Sequence, residues 1–494
     1  MFKSCQGFLL ATLLGCSISF AAVTGAPVQV EYRISRVHGL VQFALALADD
    51  ANQAPGLKEI WVRSKFQSDE VKKAVADLKV VSRSLSGGLD FNSAVSSRPQ
   101  GIGTDSLIVI QSLYARDLKD LALRTLGILP INEERLFINA LHVLEPVYNS
   151  LVWNVGSRDL HVAKRMLEKI AVRVKLEGLF GQAVRFYHGN WPREVPFVIG
   201  LHAIPALKDF KNSTTSTSFA SVEVHGIQTG VKLNNVEDDF GVVFHELCHS
   251  IYGSQSTEFM MELEKWFLAN KSPYARQAYA HLNEALATAL GNSWAYEKAR
   301  KEPPSESWYN EPTIDAYAKA ISPLVNDYVD SARSIDQVFV DKAIDLFAAK
   351  LPDSIRNYQS LLNKVTAVNN NSVIKNTDLR EIRYAFRVSS FSGGAPFLDQ
   401  ETISSAKNST GALVVVLGPS ETSEFEKMAS QVPFLAGRTS EIKKMPKRSY
   451  FASTSVEGRL LLVIKASSLE DFRAALEAMK KAGNLVPNQS VYKY

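Results

Sequence analysis

The sequence predicts an α+β protein that is predominantly helical, and three patterns support this assignment. Apolar residues recur about every 3.6 positions through most of 28–190, the period of an α-helix that packs on one face. Short apolar or alternating runs at 195–201 and 219–224 have the character of β-strands. Beyond residue 381, apolar runs alternate with helical segments, as in a small α/β unit.

Length and composition are those of a folded protein with room for more than one domain. The chain has 494 residues, of which 46% are hydrophobic and 21% are charged. These values are typical of globular proteins and not of disordered chains. The formal net charge is only +4 and no basic stripe is present. We therefore expect no nucleic-acid partner.

The N-terminus has the layout of a secretory signal peptide. Lys3 precedes a short apolar run that is followed by small residues. Two processing outcomes stay open: removal of 1–21 by ordinary cleavage, or removal of 1–15 at a bacterial lipobox, which leaves Cys16 as a lipidated first residue. We expect an exported protein, located in the bacterial periplasm or cell envelope or secreted. Its membrane attachment, if any, is a lipid anchor at Cys16.

The first folded unit expected after the signal peptide is a helical domain over 28–190. Gly, Ser and Pro residues separate its amphipathic segments. We expect it to pack beside the unit that follows and to form one of its walls. Two of its histidines, His38 and His161, are predicted to be structural. The predicted helices are 36–50, 69–83, 132–151 and 157–186.

The motif His245-Glu246-Leu247-Cys248-His249 points to a specific chemistry. Two histidines four positions apart on a helix project in the same direction, so both imidazoles can bind one Zn²⁺. The glutamate between them is placed to act as a general base toward water. A helix is predicted over 236–252, where the core-facing positions are already apolar and the two histidines lie on the opposite side. Cys248 falls at the edge of the core, where packing is expected and not metal binding.

A catalytic zinc usually has three protein ligands, and Glu284 is the predicted third ligand. Ser272-Pro273 is a typical helix start, which places Glu284 inside a helix that extends to about Arg300. His281, one turn earlier, is an alternative ligand or an outer hydrogen-bond partner. The helical neighbours of Glu284 are small and would permit close approach to another helix; they are Ala280, Ala287, Thr288 and Gly291.

Together, the HExxH motif and the later Asn-Glu-Ala segment resemble the gluzincin class of zinc metallopeptidases. The resemblance covers about 195–330 and implies a zincin-like catalytic core, which we assign to 191–365. It implies that His245, His249 and Glu284 bind Zn²⁺ and that Glu246 is the general base. The 34 residues between His249 and Glu284 form a longer spacer than the thermolysin-like pattern has. They contain an amphipathic stretch, 258–270, which predicts an additional helix or hairpin between the two ligand helices.

Zinc peptidases commonly place an edge strand beside the metal-binding helix, where a substrate chain can add as a further strand. Residues 219–232 are the predicted edge strand, and His225 within it is expected to be an ordinary strand residue or a donor to a substrate carbonyl. A donor toward the oxyanion is also required. Tyr317 is the predicted donor, on a helix over 313–330, with a core or interface role as the alternative.

The C-terminal residues, 381–494, are predicted to form a small α/β accessory module. Residues 412–418 form a continuous apolar strand, and a second apolar run, 459–464, leads into a helix. A docking or stabilising role is the expectation for this module.

These patterns predict an exported zinc metallopeptidase, a hydrolase acting on a peptide or protein substrate. Two alternatives stay open. One is a catalytically silent envelope binding protein that retains zinc for structure, and the other is a zinc hydrolase of non-peptide amide or ester bonds. The sequence does not define the oligomeric state.

Overall fold

The computed structural model describes the chain from residue 29 to residue 493 with gaps. The expected signal peptide and Cys16 lie outside the described residues, as does Asn235 before the HExxH helix. In the part of the chain that is described, no helix has both the length and the hydropathy required to span a membrane. The described residues are 29–48, 54–85, 88–91, 100–192, 194–207, 216–231, 233, 236–302, 304, 307–354, 362–386, 388, 390–409, 411–454, 459–482 and 492–493.

Helices dominate the larger unit, which extends to residue 350. Two short π-helical segments, Asn149–Trp153 and Leu290–Ala295, interrupt the helical runs. The helices are α1 (Arg36–Ala48), α2 (Pro55–Val62), α3 (Asp69–Leu85), α4 (Thr104–Tyr114), α5 (Leu118–Arg124), α6 (Ile131–Tyr148), α7 (Asn154–Val174), α8 (Leu176–Tyr187), α9 (Val236–Gly253), α10 (Thr257–Ala269), α11 (Ala275–Ala289), α12 (Tyr296–Arg300), α13 (Pro312–Asp330) and α14 (Gln337–Lys350).

A four-stranded mixed sheet lies within this unit. Its order is β1-β4-β6-β5, in which β1, β4 and β6 are parallel and β5 is antiparallel to β6. Strand β4 is buried along its whole length, as its mostly apolar sequence favours, and the one polar side chain on it, His202, is buried as well. The strands are β1 (Val30–Ile34), β2 (Gly88–Phe91), β3 (Gln100–Gly103), β4 (Phe197–Pro205), β5 (Ser216–Phe219) and β6 (Val222–Thr229), of which β2 and β3 form a separate hairpin.

The predicted boundary at residue 190 does not separate two cores. Strand β1 pairs in parallel with β4, so the N-terminal segment contributes a strand to the sheet of the predicted catalytic core. One cluster of buried side chains extends from Tyr32 to Phe347. The unit 28–190 and the part of 191–365 up to Phe347 are therefore one folded body. The pairing joins segments more than 160 residues apart, which the local periodicity of the sequence does not reveal.

The C-terminal module is a separate α/β layer structure. Its sheet has the order β12-β10-β11-β9-β7-β8, and central β9 is buried on both faces. Alternate β9 side chains enter two different apolar clusters, one on each side of the sheet. The elements are β7 (Lys364–Val368), α15 (Glu381–Ala385), β8 (Ser390–Gly394), α16 (Gln400–Asn408), β9 (Ala412–Leu417), α17 (Thr422–Ala429), α18 (Pro433–Ala436), α19 (Thr439–Lys443), β10 (Ser449–Thr454), β11 (Leu460–Lys465), α20 (Leu469–Ala482) and β12 (Tyr492–Lys493).

The module begins earlier than the predicted residue 381. Strand β7 pairs with β8 and β9 and belongs to the module sheet, although the prediction assigned its first residues to 191–365. Leu362 already packs in the module core. The prediction of an α+β, predominantly helical protein is confirmed at this level.

Candidate metal centre

The HExxH motif lies on α9, which extends over Val236–Gly253 as the sequence predicts. The expected apolar face is fully buried, and α9 packs against α7, α11 and the strands β5 and β6. His245 and His249 project together from the other face, with their Nε2 atoms 3.0 Å apart. The residues of the buried face are Phe240, Val243, Phe244, Leu247 and Ile251.

Helix α11 carries Glu284 to the two histidines. Glu284 Oε2 lies 3.6 Å from His245 Nε2, and Glu284 Oε1 lies 3.5 Å from His249 Nε2. The π-helical segment that continues α11 touches α9 at Gly291, the last member of the predicted small-residue strip. The glutamate therefore reaches the histidines because the two helices approach closely at a residue without a side chain.

The donor atoms of this trio fit a zinc ion. One ligand atom from each of His245, His249 and Glu284 lies within 4.8 Å of the other two. Tetrahedral zinc with bonds of about 2.0–2.1 Å separates its ligand atoms by about 3.3 Å. The separations of 3.0, 3.5 and 3.6 Å bracket that value. Two imidazole nitrogens and a carboxylate also match the ligand types that zinc selects in hydrolases.

Neighbouring side chains orient the histidines. His249 Nδ1 lies 3.1 Å from Asn283 Oδ1, so the ring donates its Nδ1–H to the amide oxygen and leaves Nε2 free as a ligand. Tyr309 stacks on His245 with the ring centroids 5.8 Å apart and the planes inclined by 18°. No role was predicted for Asn283 or Tyr309. Asn283 adjoins the predicted ligand in sequence, whereas Tyr309 has no spacing relation to the motif.

The charges of the trio are coupled. Burial alone would raise the pKa of Glu284, but hydrogen bonding and positive charge from His245 and His249 outweigh burial and hold it well below its usual range. Burial alone would lower the pKa of His249, yet the Glu284 carboxylate beside it raises the pKa. A carboxylate held ionised beside imidazoles is suited to binding a cation.

The trio lies in a cleft of about 1030 Å³. Glu246 lines this cleft beside its two histidine neighbours, and strand β5 contributes Ser216, Thr217 and Ser218 to one wall. A second cavity of about 420 Å³ shares Val242 and neighbouring lining residues with it, which lengthens the groove. The remaining lining residues of the main cleft are Val242, Asn283, Asn292, Ser307, Trp308, Tyr309, Asn310, Glu311, Ile314 and Arg383.

The strand beside the cleft is not the predicted one. Residues 219–232 were expected at the sheet edge, but β6 lies between β4 and β5 and is buried. The cleft strand is β5, a Ser/Thr-rich segment whose sequence alone is typical of a loop. The four residues of β5 are polar or aromatic and of intermediate exposure, so their sequence alone does not predict a strand. They form a strand because they pair with β6.

Tyr317, the predicted oxyanion donor, is fully buried and packs edge-to-face on Phe347. It does not belong to the cleft lining, so the catalytic assignment is wrong and the alternative, a core tyrosine, is confirmed. The tyrosine of the cleft is Tyr309, in the loop before α13. Asp315 Oδ1 accepts from the Tyr309 amide at 3.1 Å and from the Trp308 amide at 2.7 Å, which fixes this loop on the helix.

Other predicted residues lie outside the cleft. His281 Nδ1 donates to the Gln277 carbonyl within α11 at 2.8 Å, so it is not the alternative ligand. Cys248 is buried in the core, as expected. His225 is a buried strand residue that bonds Ser216 Oγ through Nδ1 at 3.1 Å. Comparison of the chain with models of protein families, with curated proteins and with solved structures finds no match.

Proposed function

We propose that this protein is an exported zinc-dependent metallopeptidase that hydrolyses peptide bonds. The observation that carries the proposal is the convergence of His245, His249 and Glu284 at zinc-ligand separations within an open cleft that also contains Glu246. A site serving structure alone would be closed by four protein ligands. Here three protein ligands face a groove that solvent and substrate can enter.

Zinc bound by this trio would polarise a scissile carbonyl and lower the pKa of a water molecule toward about 7. The chain's own residues perform the proton transfers. Glu246 takes the proton of the attacking water and passes it to the leaving amine. His249 is held in the required tautomer by Asn283, so its Nε2 lone pair faces the metal position.

Tyr309 takes the role of the donor toward the oxyanion. Burial, followed by the charge of Glu284, raises its pKa well above the usual value, so the phenol keeps its proton at neutral pH. Its ring stacks on His245, which brings it beside the metal ligands. A neutral phenol there can donate a hydrogen bond to the charge that develops on the carbonyl oxygen.

Strand β5 offers the substrate a backbone template. It is the edge of the four-stranded sheet, and three of its residues line the cleft. An extended peptide can pair with this edge and pass its scissile bond over the metal centre. This geometry favours a peptide over a small amide or ester, which has no backbone to pair with the strand.

The first experiment measures bound zinc and hydrolysis in the same preparations. We expect one zinc per chain in the unmodified protein and in Glu246→Gln, and strongly reduced zinc in His249→Ala. A peptide library should be cleaved by the unmodified protein, whereas Glu246→Gln should lose about 10²–10⁴-fold in rate. His161→Ala, which changes an exposed histidine of α7, is the matched control for zinc content.

The outcomes separate the proposal from its alternatives. Zinc binding without cleavage of any peptide, amide or ester would identify a catalytically silent zinc-binding protein. Cleavage of small amides or esters but of no peptide would identify a different hydrolase. Full peptide cleavage by Glu246→Gln would contradict the proposed base.

A further inference from the structure

Arg383 brings the C-terminal module into the cleft. It lies on α15 and lines the same cleft as the metal trio, and among the described residues it is the single lining residue supplied by the module. Within the described part of that lining it is also the single lysine or arginine, beside three glutamates: Glu246, Glu284 and Glu311. The predicted role of the module is docking or stabilising, and the sequence pattern gives no indication of this placement.

Helix α15 is anchored to the module by the residues that precede and follow Arg383 in the sequence. Ile382 and Phe386 are buried in one of the module's apolar clusters. Glu381 Oε1 accepts from Arg473 on α20 at 2.7 Å, which ties α15 to the neighbouring helix. Arg383 is thus presented toward the cleft by an anchored backbone, and its direction does not depend on a bond made by its own side chain.

Among the described residues, the Arg383 guanidinium forms no hydrogen bond or ion pair. This contrasts with the other arginine close to the groove, Arg300 in the smaller cavity. Arg300 donates to Asp238 at 2.9 Å and to the Tyr296 hydroxyl at 3.0 Å, so its charge is already used within the protein. A half-buried guanidinium that faces a substrate cleft without a protein partner retains its five donors for a ligand.

Two glutamates of the cleft, Glu284 and Glu311, have interactions with groups other than Arg383. Glu284 is committed to the metal position, and Glu311 Oε2 accepts from the Ile314 amide at 2.8 Å as the cap of α13. Neither forms an ion pair with Arg383. The planar guanidinium matches a carboxylate in bidentate geometry, and such charge-assisted pairs are stronger and more directional than neutral hydrogen bonds.

We propose that Arg383 is a substrate-binding residue that recognises a carboxylate on the peptide substrate. This inference rests on the proposed peptidase function and names its substrate class. The carboxylate has two possible sources: the C-terminal α-carboxylate of the peptide, or an Asp or Glu side chain near the scissile bond. The module then has a role in selecting substrates in addition to any stabilising role.

The test compares matched peptides on the zinc-loaded full chain. One pair differs in a free C-terminal carboxylate against a C-terminal amide. A second pair, amidated throughout, differs in Glu against Gln beside the scissile bond. For the pair that contains the recognised carboxylate, we expect the unmodified protein to prefer the charged peptide by about 10- to 100-fold in kcat/KM.

Arg383→Gln should reduce that preference to about one, by lowering kcat/KM for the charged peptide and leaving the neutral peptide within about twofold. Arg383→Lys should retain part of the preference, since it keeps the charge but not the bidentate geometry. The matched control is Arg380→Gln, an exposed arginine three residues earlier that does not line the cleft.

Peptide binding to Glu246→Gln, with and without Arg383→Gln, provides a readout that does not require catalysis. Loss of the preference in both assays supports the inference, and the pair that shows it identifies the source of the carboxylate. The inference is overturned if the unmodified protein has no preference, if Arg383→Gln keeps it, or if Arg380→Gln loses it equally. If one of these results is found and the zinc-loaded protein still cleaves peptides, only the role of Arg383 is contradicted and the proposed peptidase function is retained. If the protein neither binds nor cleaves any peptide, both proposals are contradicted.

Discussion

Gly291 packs directly on the backbone of His245. A Cβ atom built on Gly291 would lie 2.5 Å from both the His245 amide nitrogen and its Cα. Real Cβ atoms do not approach backbone atoms this closely, so the contact exists because residue 291 has no side chain. The spacing between α9 and the helical run that carries Glu284 is therefore set at His245, one of the proposed metal ligands.

Gly291→Ala is expected to push the two helices apart and to weaken zinc binding. Overpacking in a well-packed core costs about 1–3 kcal/mol, and the clashing atoms here are backbone, which cannot rotate away. Thermal unfolding with a chelator present measures the loss of stability, and zinc titration measures the loss of affinity.

Gly253→Ala is the matched control for this change. Gly253 ends α9, and a Cβ built there meets no heavy atom within 4 Å. The Tm of the Gly253→Ala variant should stay unchanged or rise slightly, because alanine favours helix more than glycine does. Equal zinc affinity in Gly291→Ala and the unmodified protein would contradict the importance of this contact.

Asn283→Ala is expected to weaken zinc binding while the fold is retained. The amide oxygen of Asn283 accepts from His249 Nδ1 at 3.1 Å and so orients the ligand ring. Loss of such an outer partner typically costs about 10–100-fold in metal affinity. Asn283→Asp should keep or strengthen the affinity, since a carboxylate accepts the same bond. Competition with a zinc chelator distinguishes these results, and an equal loss in both variants would contradict the orienting role.

Much of the candidate metal centre could be predicted from local sequence. The HExxH spacing defines both histidines, the apolar positions of α9 define the face they leave free, and the small residues around Glu284 indicate a close helix contact. These features depend on helical geometry over a few turns, which the sequence specifies directly.

The parts that were missed depend on contacts between distant segments. Strand β5 owes its position to pairing with β6, and Tyr309 enters the cleft because Asp315 fixes its loop. Arg383 lines the cleft although its helix packs in the separate core of the C-terminal module. Tyr317 was predicted as the donor from its place on a downstream helix, but its side chain is buried and packs on Phe347. No residue spacing records such relations.

Tyr309→Phe is expected to lower kcat by about 10²–10³-fold, as removal of an oxyanion donor does elsewhere. KM should change little, because the bond is made in the transition state and not in the ground state. Zinc content should be unchanged. Tyr317→Phe is the matched control, since its hydroxyl is buried with no described hydrogen-bond partner. If Tyr317→Phe lost kcat and Tyr309→Phe did not, the two assignments would have to be exchanged.

A buried charge cluster connects the cleft strand to α9. His225 Nδ1 donates to Ser216 Oγ at 3.1 Å, and Ser216 Oγ donates to Glu223 Oε1 at 2.8 Å. The other ring nitrogen, Nε2, lies 3.8 Å from Asp239 Oδ1 on α9. Burial alone would lower the pKa of His225, but Asp239 and Glu223 outweigh burial and raise it to about 10. Ser216 belongs to β5 and lines the cleft, so the cluster holds β5, the strand proposed to pair with the substrate, in position.

His225→Gln is therefore expected to destabilise the protein in a pH-dependent way. The folded pKa lies above the unfolded value of about 6.5, so the contribution of His225 is complete below pH 6.5 and is lost as pH rises through about 10. Near pH 6 the variant should lose up to about 3 kcal/mol, the scale for removing one partner of a buried ion pair. The partner there is chiefly Asp239, because burial raises the pKa of Glu223 to about 7. Near pH 10.5 most of that difference should vanish. Urea unfolding at both pH values, with a chelator present, measures the difference in the free energy of unfolding. His161→Gln, which changes an exposed histidine, is the control. A difference that stays constant between the two pH values would mean that His225 is neutral in the folded protein.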